Sequence, residues 1–127
     1  MTRFKSQKFQ TKVNNARLGL NVAFKAEKNL RVHSIIALMV VICGLILDVG
    51  CVKLSILLLT IGLVMFAEMI NSALEFTLDA LYKNKFSRLV KYAKDISAGA
   101  VLFVSIIAIL VGLLIFIPEI INILIIN

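Results

Sequence analysis

The chain has 127 residues, of which 61% are hydrophobic, and its mean hydropathy is +1.00. Soluble domains contain about 45–50% apolar residues, so this composition excludes an ordinary soluble globular protein and indicates a single membrane domain over residues 1–127. The formal net charge is +7, and the two cysteines, Cys43 and Cys51, form no metal or redox motif, so we interpret them as small apolar residues.

The N-terminal segment is polar and basic, and it predicts a helix on the membrane surface. Its apolar residues recur at steps of three or four, whereas most of its basic residues fall elsewhere on the helical wheel. The apolar residues are Phe9, Val13, Ala16, Leu20 and Phe24. We therefore expect an amphipathic surface helix over about residues 4–30, with its basic side chains attracted to anionic lipid.

Three apolar stretches follow, over residues 34–52, 54–81 and 95–117, and each can cross a hydrocarbon core that needs about 20 residues. A second apolar tail comes after Pro118. Eight lysines and arginines precede the first stretch, one separates the first two, and five lie between the second and third. The positive-inside rule then predicts an all-α integral membrane protein with its N-terminus and second loop in the cytoplasm and its C-terminus outside.

The second apolar stretch carries polar residues on one helical face. Glu68, Asn71, Glu75 and Asp79 stand at i, i+3, i+7 and i+11. Glu68 lies about 22 Å from either end of the stretch, where an ionisable group costs about 2.5–3.5 kcal/mol even on a permissive scale. Hydrogen bonding between helices explains one such residue, but three carboxylates on one face favour a functional site.

These carboxylates predict a binding site for a metal and a phosphate compound. Acids that lie close together need a counter-cation, and hard oxygen ligands favour Mg²⁺, so Glu75 is a candidate metal ligand with Glu27 as its partner acid. Lys94 and Asp95 open the third stretch on the same side and supply a cation and another acceptor. Such a site suits a polyanion such as a nucleoside triphosphate that enters from the cytoplasm.

Four segments match the motifs of one known family, in order along the chain. Residues 67–75, AEMINSALE, resemble an ExxNTAIE or ExxNSAIE signature, and residues 27–33, EKNLRVH, are similar to an ExNxRxH segment. Residues 93–102, AKDISAGAVL, resemble an AKDxxAGAVL segment, and residues 16–19 fit an AxxG step. The family that these segments resemble is that of the prokaryotic diacylglycerol kinases and undecaprenol kinases. The resemblance implies a homotrimer in the bacterial cell (inner or plasma) membrane that uses ATP and Mg²⁺ to phosphorylate a lipid alcohol, with no nucleic acid partner.

The resemblance also implies a role for each matching residue. Glu68 would be the catalytic base, Glu27 and Glu75 would bind the metal, and Asn71 and Asp79 would support the site. Lysine stands at position 8, where the family usually has arginine. The nucleotide contacts implied are Glu27, Glu75, Lys94, Asp95 and Lys8.

The acceptor lipid is predicted from three segments. Residues 27–33, 97–102 and 112–118 resemble the undecaprenol kinases of Gram-positive-type bacteria more than the diacylglycerol kinases of proteobacteria. We therefore expect undecaprenol as the acceptor, with diacylglycerol as the alternative. His33, which closes the first segment, is interpreted as an interfacial hydrogen-bonding residue at the start of the first span.

Two other classes of protein remain as alternatives. A small oligomeric ion channel or proton-coupled transporter also uses intramembrane carboxylates, but it requires polar residues that continue toward the outer half of a helix. Over residues 54–67 the polar side chains before Glu68 are Ser55 and Thr60, which favours a one-sided site. In a structural assembly protein, substitution of Glu75 would cause no chemical defect.

Overall fold

The computed structural model describes residues 8–83, 85 and 87–126, and every regular element in these ranges is an α-helix. The helices are α1 (Phe9–Ala26), α2 (Lys28–Ile46), α3 (Cys51–Tyr82) and α4 (Arg88–Ile126). The last three are long and apolar enough to cross a membrane, which confirms the prediction of an all-helical chain with three such helices. Residues 4–7 of the expected surface helix lie outside the described residues.

α3 and α4 are longer than the apolar stretches that predicted them, whereas α2 has the length of its stretch but ends at Ile46, six residues before the stretch does. α2 begins at Lys28, six residues before its apolar stretch, and α3 runs slightly past its stretch at both ends. Hydropathy marks only the part of a helix inside hydrocarbon, whereas backbone hydrogen bonding continues into the interface. α4 continues through Pro118 to Ile126, so the C-terminal apolar tail belongs to the same helix even though Pro118 has no N–H group to donate.

A one-residue break separates α1 from α2. Glu27 has extended backbone angles, with φ −96° and ψ 116°. The guanidinium of Arg31 donates from Nη1 to the carbonyls of Phe24, at 2.9 Å, and Lys25, at 2.8 Å. Carbonyls in the last turn of a helix have no partner inside it, so Arg31 satisfies two of them and joins the end of α1 to the first turn of α2.

α3 is the central helix and packs against both α2 and α4, while α1 contacts α2. A small core of Val49, Leu57 and Ile115 lies beside the turn between α2 and α3. Lys53 at the start of α3 forms an ion pair with Glu119 near the end of α4, which fixes these two helices as antiparallel neighbours. Most other large apolar side chains are exposed on the single chain, as expected of helices that face lipid or further subunits.

Candidate active site

The polar face of α3 changes from exposed to buried along its length. Asp79 is exposed, and Asn71 and Glu75 are half-buried. Glu68 and Ser72 are only 4% and 2% exposed. Glu68 and Asp79 are eleven residues apart, which is about 16 Å along the helix axis. The polar face therefore leads inward from the exposed end of α3 to Glu68.

The buried carboxylate of Glu68 faces His33 of α2. His33 Nε2 lies 3.3 Å from Glu68 Oε1, and the histidine side chain is 25% exposed. The hydroxyl of Ser72 donates to the backbone carbonyl of Glu68 at 2.9 Å. The sequence predicts Glu68 as a site residue but not His33 as its partner, because a contact between two helices leaves no periodicity in either of them. The available signal was the family segment that His33 closes.

Asn71 connects the polar face of α3 to α4. Its Nδ2 donates to Glu75 Oε1 at 3.1 Å, and its Oδ1 accepts from Ser97 Oγ at 2.6 Å. Ser97 Oγ also lies 3.0 Å from the carbonyl of Lys94, one turn earlier on α4. Ser97 is absent from the predicted site residues, although its position three residues after Lys94 places both on one face of α4.

An ion pair lies at the exposed end of this face. Lys94 Nζ is 2.6 Å from Asp79 Oδ1, and the two side chains are 33% and 47% exposed. The predicted supporting residue Asp79 and the predicted nucleotide contact Lys94 are thus brought together. Asp95, the next residue of α4, is exposed. An ammonium group at this rim can exchange its carboxylate partner for a phosphate oxygen at small cost, because exposed ion pairs contribute only about 0–1 kcal/mol.

Glu27 adds a carboxylate from outside α3 to Glu68, Glu75 and Asp79. It is half-buried at the break between α1 and α2, and both it and Glu75 interact electrostatically with Glu68. Within the described residues, no group of three or more His, Cys, Asp or Glu side chains forms a metal site by itself. Mg²⁺ is usually held by one or two carboxylates together with substrate phosphates, so Glu27 and Glu75 fit an ion that arrives with a nucleotide.

Lys8 lies far from Glu27 of the same chain. It precedes α1, and its carbonyl accepts hydrogen bonds from the backbone N–H groups of Thr11 and Lys12. Lys8 and Glu27 are nineteen residues apart, which is about 28 Å along α1. The structure therefore separates Lys8 from Glu27, another predicted nucleotide contact of the same chain.

An apolar groove begins where the polar face ends. It has a volume of about 350 Å³, and His33 lies at its border with the polar face. Within the span before Glu68, the hydroxyls of Ser55 and Thr60 each donate to a backbone carbonyl of α3 itself, at 2.8 Å. The polar groups of α3 thus do not continue past Glu68 toward the core beside the α2–α3 turn. The groove is lined chiefly by Ile36, Val40, Leu57, Val64, Ile109 and Phe116.

Comparison with known proteins covers most of the chain. Residues 14–116 match the family model described as prokaryotic diacylglycerol kinase. The undecaprenol kinase of Bacillus subtilis (strain 168) is 38% identical over 95 residues, which cover 75% of this chain and 76% of that protein. The diacylglycerol kinase of Escherichia coli (strain K12) is 32% identical over 92 residues, which cover 72% and 75%.

A third relative matches a larger share of this chain but a smaller share of its own length. The diacylglycerol kinase of Synechocystis sp. is 33% identical over 107 residues, which cover 84% of this chain and 61% of that protein. The chain therefore spans less than two thirds of that relative. The matched range of the family model contains Glu27, Glu68, Glu75 and Lys94, whereas Lys8 precedes it.

Proposed function

The chain belongs to the prokaryotic diacylglycerol kinase family, and from this premise we propose that it is a membrane lipid kinase that transfers the γ-phosphate of ATP to the hydroxyl of undecaprenol. The relative named undecaprenol kinase is 38% identical, against 33% and 32% for two relatives named diacylglycerol kinase. The segments that contain His33 and Ser97 favour the same acceptor. Diacylglycerol is the second candidate, because the other relatives carry that name.

The burial of Glu68 is the observation that carries this proposal. A carboxylate that is 4% exposed stands at the inner end of a polar face, and an apolar groove begins beside it. A lipid alcohol has the matching division, because it carries a single hydroxyl on an otherwise apolar chain. A base at this depth therefore meets the hydroxyl of a lipid, whereas the polar face leads outward to the exposed rim of Lys94 and Asp79.

In the proposed reaction, Glu68 accepts the proton of the lipid hydroxyl while the hydroxyl oxygen attacks the γ-phosphorus of ATP. The bond between that phosphorus and the bridging oxygen breaks, and ADP leaves. Phosphoryl transfer depends mainly on positioning and on charge neutralisation, so a base that is buried and oriented supplies what the chain itself can add. Asn71 supports this arrangement because it ties Glu75 of α3 to Ser97 of α4.

The nucleotide end of the proposed site uses the remaining acids and cations. Glu27 and Glu75 would hold Mg²⁺, which neutralises phosphate charge when it is bound. Asn71 occupies only Oε1 of Glu75, so the second carboxylate oxygen is left for this role. Lys94 would bind phosphate oxygens after it leaves Asp79, and Asp95 beside it would contact the nucleotide.

We propose a homotrimer in the bacterial inner membrane, with the N-terminus and the α3–α4 connection in the cytoplasm and the C-terminus outside. The uneven distribution of basic residues supports this orientation. The separation of about 28 Å between Lys8 and Glu27 supports shared sites, because a nucleotide held at Glu27 lies far from Lys8 of the same chain. The exposed apolar side chains supply surface for such contacts.

The proposal is tested by ATP-dependent phosphate transfer in mixed micelles with Mg²⁺, with undecaprenol and diacylglycerol offered in parallel. We expect transfer to undecaprenol, no transfer after chelation of Mg²⁺, and a fall of about 10²- to 10⁴-fold in Glu68→Gln, which loses the base but keeps the shape. Glu119→Gln makes the same change far from the site and should keep its activity. Preference for diacylglycerol would change the acceptor, and no transfer from a folded protein to either lipid would contradict the proposal.

A further inference from the structure

The contact between His33 and Glu68 joins two helices at the inner end of the polar face. His33 lies on α2 and Glu68 on α3, with 3.3 Å between Nε2 and Oε1. A glutamate side chain has several rotatable bonds, so a base without a partner would occupy many orientations. Misplacement of a reacting group by about 1 Å lowers a rate by about 10²-fold, so the partner that fixes this carboxylate matters for transfer.

His33 is itself fixed by its neighbours on α2. Leu30, one turn earlier, is fully buried. Ser34 Oγ donates to the carbonyl of Leu30 at 2.7 Å and contacts Met65 Sδ of α3 at 3.8 Å. Arg31 ties the same turn to the end of α1. The imidazole is therefore carried by a helical turn that is attached to both α1 and α3.

We propose that His33 is a positioning residue for the phosphoryl transfer. Its Nε2–H group donates to Glu68 Oε1, which holds the carboxylate in one orientation and leaves Oε2 free to accept the proton of the lipid hydroxyl. His33 does not accept that proton and does not bind phosphate. This inference rests on the proposed role of Glu68 as the base, and it adds to that role the residue that directs it.

The position of His33 matches this task. It borders the apolar groove on one side and contacts Glu68 on the other, so it stands where the apolar chain and the hydroxyl of an acceptor meet the protein. A base that is oriented by a third group is a common arrangement for activating a hydroxyl. A hydrogen bond to a charged group in such a place changes a rate by about ten- to hundredfold.

A pair of amide variants tests the proposal. His33→Gln keeps an N–H donor near the position of Nε2, whereas the shorter His33→Asn withdraws it. We expect kcat of the glutamine variant within about threefold of wild type, and kcat of the asparagine and alanine variants about ten- to hundredfold lower. KM for ATP should change by less than about twofold, because no contact with the nucleotide is lost. Ser55→Ala, which removes a hydroxyl that donates to the Cys51 carbonyl at the opposite end of α3, should leave kcat unchanged.

A second acceptor separates positioning of the base from general loosening of the site. A lipid alcohol with fluorine atoms beside its hydroxyl loses its proton more readily and depends less on a base. The defect of His33→Asn should therefore shrink with this acceptor. Equal defects with both acceptors, or defects confined to KM, would overturn the role of His33. Full activity of Glu68→Gln would instead show that Glu68 is not the base. That result would contradict the proposed function itself, and it is independent of the His33 variants.

Discussion

Asn71 is the side chain that joins α3 to α4 inside the candidate site. It accepts from Ser97 and donates to Glu75, so both of its amide atoms are used. In the proposed role of Glu75 as a metal ligand, one of its two oxygens must stay turned toward the ion. The amide of Asn71 does this by engaging the other oxygen, and Ser97 prevents the amide from rotating away.

Replacing Ser97 should therefore weaken nucleotide use without removing any group that touches the nucleotide. In Ser97→Ala, the loss of one hydrogen bond, worth about 0.5–1.5 kcal/mol, should lower kcat/KM for ATP by about two- to twelvefold. Steady-state kinetics in mixed micelles would measure it. Ser55→Ala is the matched control, because that hydroxyl donates only to the Cys51 carbonyl of its own helix. A loss of equal size in both variants would show that Ser97 has no special role.

The residues that sequence reasoning proposed and those it left out differ in a physical way. Glu68, Asn71 and Glu75 share one face of one helix, and the 3.6-residue period predicts that directly. His33 and Ser97 belong to the same group only because α2 and α4 pack against α3, and no period within a single helix contains this information.

The junction between α1 and α2 is the element that places Glu27. A single extended residue separates two helices, and the side chain of Arg31 spans the break. Hydropathy alone predicts a surface helix and a later span but not this junction, because both sides of the break are polar. In the sequence, Arg31 counts only as one of the basic residues that predict the orientation in the membrane. In the structure it also joins α1 to α2.

Loss of the Arg31 contacts should loosen the end of α1 while the spanning helices stay folded. Arg31→Gln removes two exposed hydrogen bonds from a charged donor, for which we expect about 1 kcal/mol. Chymotrypsin cleavage after Phe24, in the last turn of α1, should then be about fivefold faster, because cleavage follows the population of the open form. Lys28→Gln serves as the control for charge loss nearby. Cleavage at the wild-type rate in Arg31→Gln would contradict this role.

The end of the helices opposite the candidate site also differs from what the sequence predicts. The predicted third span ends at residue 117, just before Pro118, and the sequence predicts no partner for Glu119. In the structure α4 continues, and Glu119 forms an ion pair with Lys53 at the start of α3. Propensity disfavours proline inside a helix, but an apolar segment in a membrane keeps its backbone hydrogen bonds by remaining helical.

The whole molecule, over its described residues, has the carboxylates of the candidate site toward one end of α3 and mostly apolar side chains exposed on its three long helices. Its buried core is small, with Leu30, Val49, Leu57, Val64 and Ile115 as the buried apolar residues among those described. Composition and charge predict the spanning helices well, because insertion depends on apolar length. The number of copies is not predicted in that way, because lipid and a neighbouring helix offer an apolar side chain nearly the same environment.

Subunit mixing tests whether Lys8 serves the site of a neighbouring copy. Lys8→Glu and Glu68→Gln should each be nearly inactive alone. In random oligomers formed from equal amounts of the two, a site with intact Lys8 from one copy and intact Glu68 from the next arises in about a quarter of cases. We expect transfer to recover to about that fraction of wild type when the two are refolded together, and none when they are mixed after assembly.

The matched control uses two residues of the same helix. Glu75 and Glu68 are seven residues apart on α3, so each site takes both from one chain. Mixed oligomers of Glu75→Gln and Glu68→Gln should therefore remain inactive, since every copy lacks one of the two. Recovery in this control would mean that the carboxylates of one α3 helix serve different sites, and failure of the Lys8 mixture to recover would confine each site to one chain.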